Sequence, residues 1–588
     1  MDSTNRNTAL ASVFCEELAR AGVTRAVICP GSRSTPLALA LLREPAIVTT
    51  SIVDERSAGF FAIGAAAATR RPIAIVCTSG TATASLHPAV AEAHESSLPL
   101  LVLTSDRPPE LRAVGAGQTI DQVKLYGSAV RWFCEVGTHE ADDAGLVHMR
   151  SLACRAAETA AGEPRPGPVH LNFSWRDPLG PEPVAGAVQA TASLALEGRG
   201  DDLPLTGVHR PLAELADREL DQLAADLAET SRGLIVAGRS THPGLAPALA
   251  ELARACGFPI LAEPTSQLRF GRHSRAAVVW AYDAVLNEAP EALRPDVVIR
   301  FGDMPTSKRL RTWLGGLDRC LQLVVDPWGT WNEPTRKAAL TLRSEPVALA
   351  RSLAGRLAAD DRPADFERGW LAAADATQRA IRTGVSGLSE LSEPGVHTAL
   401  ADAYQDGELI FTASSMPIRD QEAFAAGSDR DVLFMANRGA NGIDGTISSG
   451  VGAAVAAGRP TWIVLGDLAL HHDSNGLALV RDAGPPIRII CLNNGGGGIF
   501  EFLPQADQVS RQEFEAIFGT PLETDISSLA AAHGIEYRRI GSAADLTDPP
   551  ESHILFEVPV DRRANVALHA DLLRKGSEAA AQALAGAG

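Results

Sequence analysis

The chain has 588 residues, an apolar fraction of 45%, a charged fraction of 21% and a formal net charge of −18, a length that suits about three or four domains of roughly 150 residues. The acidic balance excludes a general nucleic-acid or anionic-membrane binder, which needs a positive field, but not a small anionic substrate met by local cations. Eight scattered cysteines (15, 29, 77, 134, 154, 256, 320, 491) form no C-x-x-C pair, which argues against zinc or a redox motif; no uncharged apolar run is long enough to span a bilayer, and no signal-peptide pattern opens the chain, so a cytoplasmic location is expected.

Short β-rich runs alternate with Ala/Leu/Glu-rich helical stretches in three blocks, which predicts an α/β protein of three doubly wound, mainly parallel-sheet domains. In the first block the runs are 25–31, 47–55, 72–80, 99–108 and 167–174. A Pro/Gly/Ala-rich linker is expected at roughly 178–205. The second block has runs at 233–239, 258–264, 296–303 and 321–328, followed by a mostly helical, charged connection over about 345–390. The third has 408–415, 431–439, 461–467, 487–494 and 553–560, and the low-complexity tail "GSEAAAQALAGAG" is expected to fray. The runs end in polar or glycine tips (PGSRS, DER, TSG, SDRP, NRG, GDL, NNGG), and in open parallel sheets ligands bind beyond the carboxyl ends of the strands.

The stretch "GDLALHHDSNGLALVRDAGPPIRIICLNNGGG" places Asp467 at one strand end and Asn494 at another, 27 residues later. One helix and a turn at Gly484-Pro485-Pro486 fit between them, so this is one βαβ unit with both tips on the same edge. A carboxylate, an amide oxygen and a backbone carbonyl make an all-oxygen set suited to Mg²⁺, which shares its octahedron with substrate phosphates. Gly466 and the run Gly495–Gly498 let backbone approach a diphosphate, and the next helix N-terminus can help hold it. A lone G-D or N-N-G would read as a generic turn; the pairing at this spacing favours the metal. His471 and His472 lack a third soft ligand and read as helix-surface or packing residues. Glu55, in "SIVDERSAGFFAIGAA", closes a strand before a small-residue helix; alone it reads as a helix N-terminal acid stabilised by the dipole. No G-x-G-x-x-G follows a strand in the first block, which argues against FAD or NAD.

These features together resemble the thiamine-diphosphate-dependent decarboxylase-like enzymes, whose order is pyrimidine-binding, middle and diphosphate-binding domain. That order puts the domains at 1–180, 205–345 and 390–575. More closely, the chain resembles the 2-succinyl-5-enolpyruvyl-6-hydroxy-3-cyclohexene-1-carboxylate synthase family of menaquinone biosynthesis. The matching stretches include "CPGSRSTPLALAL", "VDERSAGFFAIG", "TSGTATASLHPAV", "LTSDRPPELRAVGAGQTIDQ", "SKRL", "SSMPIRD", "NRGANGIDGTISSGVG", "GDLALHHDSNGLALV" and "NNGGGGIFEFLPQ". They span nearly the whole chain, thinly in the middle block. Two positions depart from the family form: Ala469 stands where a serine is usual, which removes one side-chain hydrogen bond to the diphosphate, and Gly495 stands where a third asparagine is frequent.

The resemblance implies thiamine diphosphate and Mg²⁺, with Mn²⁺ as a substitute. It implies that Glu55 meets N1′ of the aminopyrimidine and that Ile443 wedges under the bent cofactor. Thr81, Gly466, Leu468, Ala469, Ile499 and Phe500 complete the cofactor contacts, and Asp467, Asn494 and the Gly496 carbonyl bind the metal. The implied reaction is decarboxylation of 2-oxoglutarate and addition of the resulting succinyl-semialdehyde carbanion equivalent to isochorismate. Both substrates are dicarboxylates, and Arg suits carboxylates through its bidentate fork. By motif position Ser415, Arg419 and Arg438 suit the 2-oxoglutarate-derived part; Ser32, Arg33, Arg107, Gln118 and Lys308 suit isochorismate or its adduct. The resemblance also implies a homodimer or homotetramer in which Glu55 and Asp467 of different subunits serve one cofactor. The competing readings are another thiamine-diphosphate 2-oxoacid decarboxylase or acetolactate-synthase-like enzyme, against which the Arg-rich tips argue, and a non-catalytic protein on the same fold, against which the presence of Glu55, Asp467 and Asn494 argues.

Overall fold

The computed structural model describes residues 2–162, 165–357 and 365–587. They fall into two compact units: unit 1 comprises 1–210, 437–458 and 472–485, and unit 2 comprises 211–436, 459–471 and 486–588.

Unit 1 holds a six-stranded sheet of Arg25–Ile28 (β1), Val48–Ser51 (β2), Ile73–Cys77 (β3), Leu100–Asp106 (β4), Trp132–Gly137 (β5) and Pro168–Ser174 (β6). The order is β2-β1-β3-β4-β6-β5 and every pairing is parallel. β3, β4 and β6 are buried along their whole length; β3 is the continuous apolar run expected of a strand covered on both faces, while β4 and β6 also bury Thr104, Asp106, His170 and Asn172. One face packs Phe14, Leu18, Leu41, Leu146 and Met149 against strand residues Val76, Leu103 and Leu171. The expected linker, 178–205, is irregular apart from the one-turn helix Ser193–Glu197. It is tied down by Arg150, which donates to the carbonyls of Ala195 and Leu196, and by Asp143, which accepts from the amides of Thr191 and Ala192.

Unit 2 holds two more six-stranded parallel sheets. The first is built from Gly233–Ala237 (β7), Ile260–Ala262 (β8), Val278–Val279 (β9), Val297–Phe301 (β10), Leu321–Val325 (β11) and Ala338–Leu342 (β12), in the order β12-β11-β10-β7-β8-β9. Ile235 and Ala237 of β7 face one apolar cluster while Leu234 and Val236 face another, the period-two signature of a sheet covered on both sides. Helices cover it through apolar stripes: in Asp217–Glu229 the buried residues are Leu220, Leu223, Ala224 and Leu227, three and four apart as helix geometry demands. The second is built from Leu409–Thr412 (β13), Leu433–Met435 (β14), Thr461–Gly466 (β15), Ile487–Asn493 (β16), Glu536–Arg539 (β17) and Ile554–Pro559 (β18). Its order, β14-β13-β15-β16-β18-β17, repeats that of the unit 1 sheet.

The three-sheet α/β architecture is as expected from the sequence. The expectation for the C-terminal tail fails. The tail does not fray: it continues the helix Arg562–Ala587, whose Ala580 is fully buried in the apolar cluster that also holds Trp370 and Phe366. Alanine and glycine read as low complexity, but in a helix they allow close packing, and Gly576 passes the side chain of Thr377 with almost no room to spare.

Candidate active site

In unit 2, β15 and β16 are adjacent and parallel, with Gly466 paired to Leu492. Their tips therefore bring Asp467, the first residue of the helix Asp467–His472, beside the segment that starts at Asn494. Asp467 is buried, and burial pushes its carboxyl up to about 6. The backbone amides of Leu468, Asp467 and Gly496, with Arg562 nearby, pull the other way. Asp467 Oδ2 and Asn494 Oδ1 are both buried, and among the described residues neither has a hydrogen-bond partner. Buried acceptors are normally satisfied, so two left open side by side at neighbouring strand tips fit a hard cation. No cluster of three or more His, Cys, Asp or Glu able to hold a metal occurs among the described residues, so such a cation would draw its remaining oxygens from backbone and a phosphorylated ligand.

The glycine run divides by role. A Cβ on Gly496, whose φ is +133°, would lie 2.0 Å from the Gly519 carbonyl oxygen, and one on Gly497 would lie 2.1 Å from that of Phe518. These two glycines let protein backbone pass, and the Gly497 amide donates to Gly519 O at 2.8 Å. Gly495, at φ +68°, has open space beside it, and a Cβ on Gly466 would meet only Leu492 O, at 3.9 Å; these are the positions open to a ligand. The helix expected after the run is a 3₁₀ turn, Gly498–Phe502, which carries half-buried Ile499 and Phe500. Leu468 is half-buried, Ala469 is buried, and His471 and His472 are exposed.

Behind Asn494 lies a polar network that the sequence did not announce. Asn494 Nδ2 donates to Glu393 Oε1 at 2.9 Å. Glu393 opens the helix Glu393–Ala403 and is 1% exposed; burial and then the neighbouring Asp420 push its carboxyl up to about 8. Asp420 Oδ1 lies 2.8 Å from His569 Nε2, and His569 Nδ1 lies 2.8 Å from the Asn565 carbonyl. Both ring nitrogens thus face acceptors, which favours the imidazolium; burial opposes the charge, but Asp420 carries the pKa upward. His397, one turn after Glu393, is pushed down to about 4 by burial and is neutral. The only sequence signal was the pair Glu393 and His397 in an otherwise apolar helix start.

Three more expected residues lie in unit 2. Ser415 takes a left-handed φ of 74° just before the helix Met416–Phe424, a strained setting for a non-glycine residue. Arg419 is exposed and donates to the Ser415 carbonyl. Lys308 is exposed and begins the helix Lys308–Gly315, capped by Ser307.

Unit 1 holds the rest. Glu55 is the first residue of the helix Glu55–Thr69, not the end of β2, which stops at Ser51; Asp54 caps that helix. It is half-buried, and burial, with Glu55 adding to it, pushes the Cys77 thiol up to about 12. Arg107 donates to Ser79 Oγ and, at 2.8 Å, to the Gln118 carbonyl, while Gln118 Nε2 donates to the Ser79 carbonyl at 3.0 Å. Arg33 is close: after burial, its charge is what most lowers the Arg107 pKa. Arg33 Nη1 donates to the Trp175 carbonyl, and its buried Nε has no partner among the described residues. Arg33, Arg107 and Gln118 are therefore brought together, with Ser32 exposed on the preceding bend and Thr81 exposed at the start of the short helix Thr81–Ser85.

The loop with Arg438 and Ile443 is also in unit 1, and both side chains are half-buried. Buried Glu92 holds this loop by accepting from the Gly439 amide at 2.8 Å and the Ala440 amide at 2.7 Å. The next helix, Thr446–Ala457, packs on Glu55–Thr69, with Ser449 Oγ donating to the Phe60 carbonyl at 3.0 Å.

Two family models match the chain. "Thiamine pyrophosphate enzyme, N-terminal TPP binding domain" covers residues 8–125, and "Thiamine pyrophosphate enzyme, C-terminal TPP binding domain" covers residues 424–553. The 2-succinyl-5-enolpyruvyl-6-hydroxy-3-cyclohexene-1-carboxylate synthase of Geobacillus kaustophilus is 43% identical over 576 residues, 95% of this chain and 96% of that protein. The protein of the same name from Myxococcus xanthus is 41% identical over 582 residues, 97% of each chain. Among solved structures, the thiamine diphosphate-dependent 4-hydroxybenzoylformate decarboxylase of Rhodococcus jostii RHA1 matches with a TM-score of 0.70, covering 94% of this chain and 99% of that one. At 16% identity it is a likeness of fold.

Proposed function

The chain belongs to the 2-succinyl-5-enolpyruvyl-6-hydroxy-3-cyclohexene-1-carboxylate synthase family, and from that premise we propose that it joins a decarboxylated 2-oxoglutarate unit to isochorismate with thiamine diphosphate and Mg²⁺. When bound, the cofactor supplies the electron sink on which a 2-oxoacid loses carbon dioxide. Asp467, Asn494 and the Gly496 carbonyl would hold the metal, with Gly466, Leu468 and Ala469 along the diphosphate and Ile499 and Phe500 as an apolar wall. Ala469 offers no hydroxyl there, so backbone amides carry that share of the anion. Glu55 would sit at the pyrimidine ring, with Thr81 and Ile443 flanking the cofactor.

The remaining work is recognition of two dicarboxylates by an acidic protein. Ser32, Arg33, Arg107, Gln118 and Lys308 are assigned to isochorismate, and Ser415, Arg419 and Arg438 to the 2-oxoglutarate-derived part. The Arg107–Ser79–Gln118 hydrogen bonds hold the guanidinium in one orientation, which a bidentate carboxylate contact needs. We further propose pyrimidine-binding, middle and diphosphate-binding domains at 1–180, 205–345 and 390–575, a cytoplasmic homo-oligomer, and active sites at the subunit interface.

The observation that carries this reading is the pair of open buried acceptors, Asp467 Oδ2 and Asn494 Oδ1. Asn494→Ala should abolish Mg²⁺-dependent cofactor binding in calorimetry while circular dichroism shows an intact fold; unchanged cofactor affinity would refute it. Carbon dioxide release should follow 2-oxoglutarate, and a preference for pyruvate would refute the substrate assignment.

A further inference from the structure

An asparagine carboxamide is nearly symmetric in shape, and its hydrogen-bond partners decide which end faces where. Turned one way, Asn494 offers an oxygen to a cation; turned the other, it offers an N–H₂ that a cation repels. We propose that Glu393 is a positioning residue that fixes this choice, holding Asn494 Nδ2 so that Oδ1 is presented to the metal. The inference rests on the reading of Asp467 and Asn494 as metal ligands.

Three observations carry it. The Nδ2···Oε1 contact of 2.9 Å is a full hydrogen bond from the amide end, and Oδ1 is the atom left over, buried and without a partner among the described residues. Gly498 leaves the carboxamide room: a Cβ there would lie 2.5 Å from Nδ2, 3.2 Å from Cγ and 3.4 Å from Oδ1, so only a bare glycine fits against the amide that Glu393 holds. Glu393 is itself held. It lies in the first turn of a helix capped by Ser392, next to Asp420, and Asp420 is tied to His569. The rings of Phe424 and Phe502 stand edge-on to His569, at 5.2 and 5.1 Å. Partners behind a metal ligand orient it in this way, and losing one typically weakens metal binding by about 10–100-fold.

The test titrates the full-length, cofactor-saturated protein with Mn²⁺ and reads free Mn²⁺ by electron paramagnetic resonance, a readout independent of turnover. Glu393→Leu keeps the volume but removes the acceptor and should weaken Mn²⁺ binding by about tenfold or more. Glu393→Gln keeps a carbonyl for Nδ2 and offers an N–H toward Asp420, so it should stay within about twofold of the parent. Gly498→Ala, which crowds Nδ2, should weaken binding as Glu393→Leu does. Asn494→Ala separates the two readings. If it leaves Mn²⁺ affinity unchanged, the metal site itself is misassigned and the inference falls with it. If it weakens binding while Glu393→Leu does not, the metal site stands and the positioning role is overturned. Glu393→Gln as weak as Asn494→Ala would also overturn it, because the carboxylate rather than the acceptor would then matter. Should Glu393→Leu fail to fold, Glu393→Gln and Gly498→Ala decide alone, and Gly498→Ala at parental affinity overturns the proposal.

Discussion

Gly64 sits where the helix Glu55–Thr69 meets the helix Thr446–Ala457, and the space there is smaller than a methyl group. A Cβ on Gly64 would lie 1.9 Å from the Ser449 carbonyl oxygen, and on the facing helix a Cβ on Gly452 would lie 2.1 Å from that of Phe61. Neither neighbour is a side chain that can swing away. To reach ordinary contact, roughly 3.5 Å, Gly64→Ala must separate the two backbones by about 1.5 Å. Overpacking of this kind costs about 1–3 kcal/mol, and stretching the hydrogen bond from Ser449 Oγ to the Phe60 carbonyl adds about 1 kcal/mol. At roughly 2–4 °C per kcal/mol for a domain of 150–250 residues, the calorimetric transition of unit 1 should fall by roughly 5–15 °C. Cofactor affinity should fall with it, because the moving helix directly follows the loop that carries Arg438 and Ile443. Gly484→Ala is the control: nothing lies within 4 Å of a Cβ there. A Gly64→Ala protein melting within about 1 °C of the parent would refute the packing argument.

Two further outcomes follow from buried charge. Asp473 is fully buried and accepts from the amide and hydroxyl of Ser448 at 2.8 and 2.9 Å, yet burial pushes its carboxyl up to about 6. Below pH 3.8 it is protonated folded or unfolded; as pH rises toward 6 the unfolded chain releases the proton first, so the folded state loses up to about 3 kcal/mol. Asp473→Asn escapes that loss, so in urea unfolding its stability relative to the parent should improve by about 2–3 kcal/mol between pH 4 and pH 7; a difference independent of pH would contradict the assignment. Glu408→Ala should cost about 3–5 kcal/mol in thermal unfolding, because it strands the buried guanidinium of Arg488 and removes the acceptor of Trp462 Nε1. A loss below about 1 kcal/mol would show that the pair contributes little.

Interior strands were legible in the sequence because a strand covered on both faces reads as a largely apolar run. The strands that escaped notice, β5, β9, β12 and β17, all lie at sheet edges. Half-exposed β17 reads Glu-Tyr-Arg-Arg and β9 has only two residues, so neither carries an apolar run. The residues proposed to hold the metal were legible for a different reason: Asp467 and Asn494 are separated by one βαβ unit, and that spacing alone puts two strand tips side by side. Glu393 was not, because its partners come from residues 420, 494 and 569, which only the fold assembles. The reason for glycine at 496 and 497 was hidden in the same way, since the carbonyls they admit belong to residues 519 and 518.

The proposed sites leave polar atoms open in both units. In unit 2 these are the acceptors Asp467 Oδ2 and Asn494 Oδ1, with the donor Arg562 Nη1 close by; in unit 1 the one beside Arg107 is a donor, Arg33 Nε. Each buried atom without a partner costs the apoprotein about 1–3 kcal/mol. Ligands of fitting charge would offset that cost: a cation at the acceptors and a carboxylate at the donor. On this proposal a chain of net charge −18 would meet anionic substrates through a few donors held in fixed orientation and not through the field of the whole molecule.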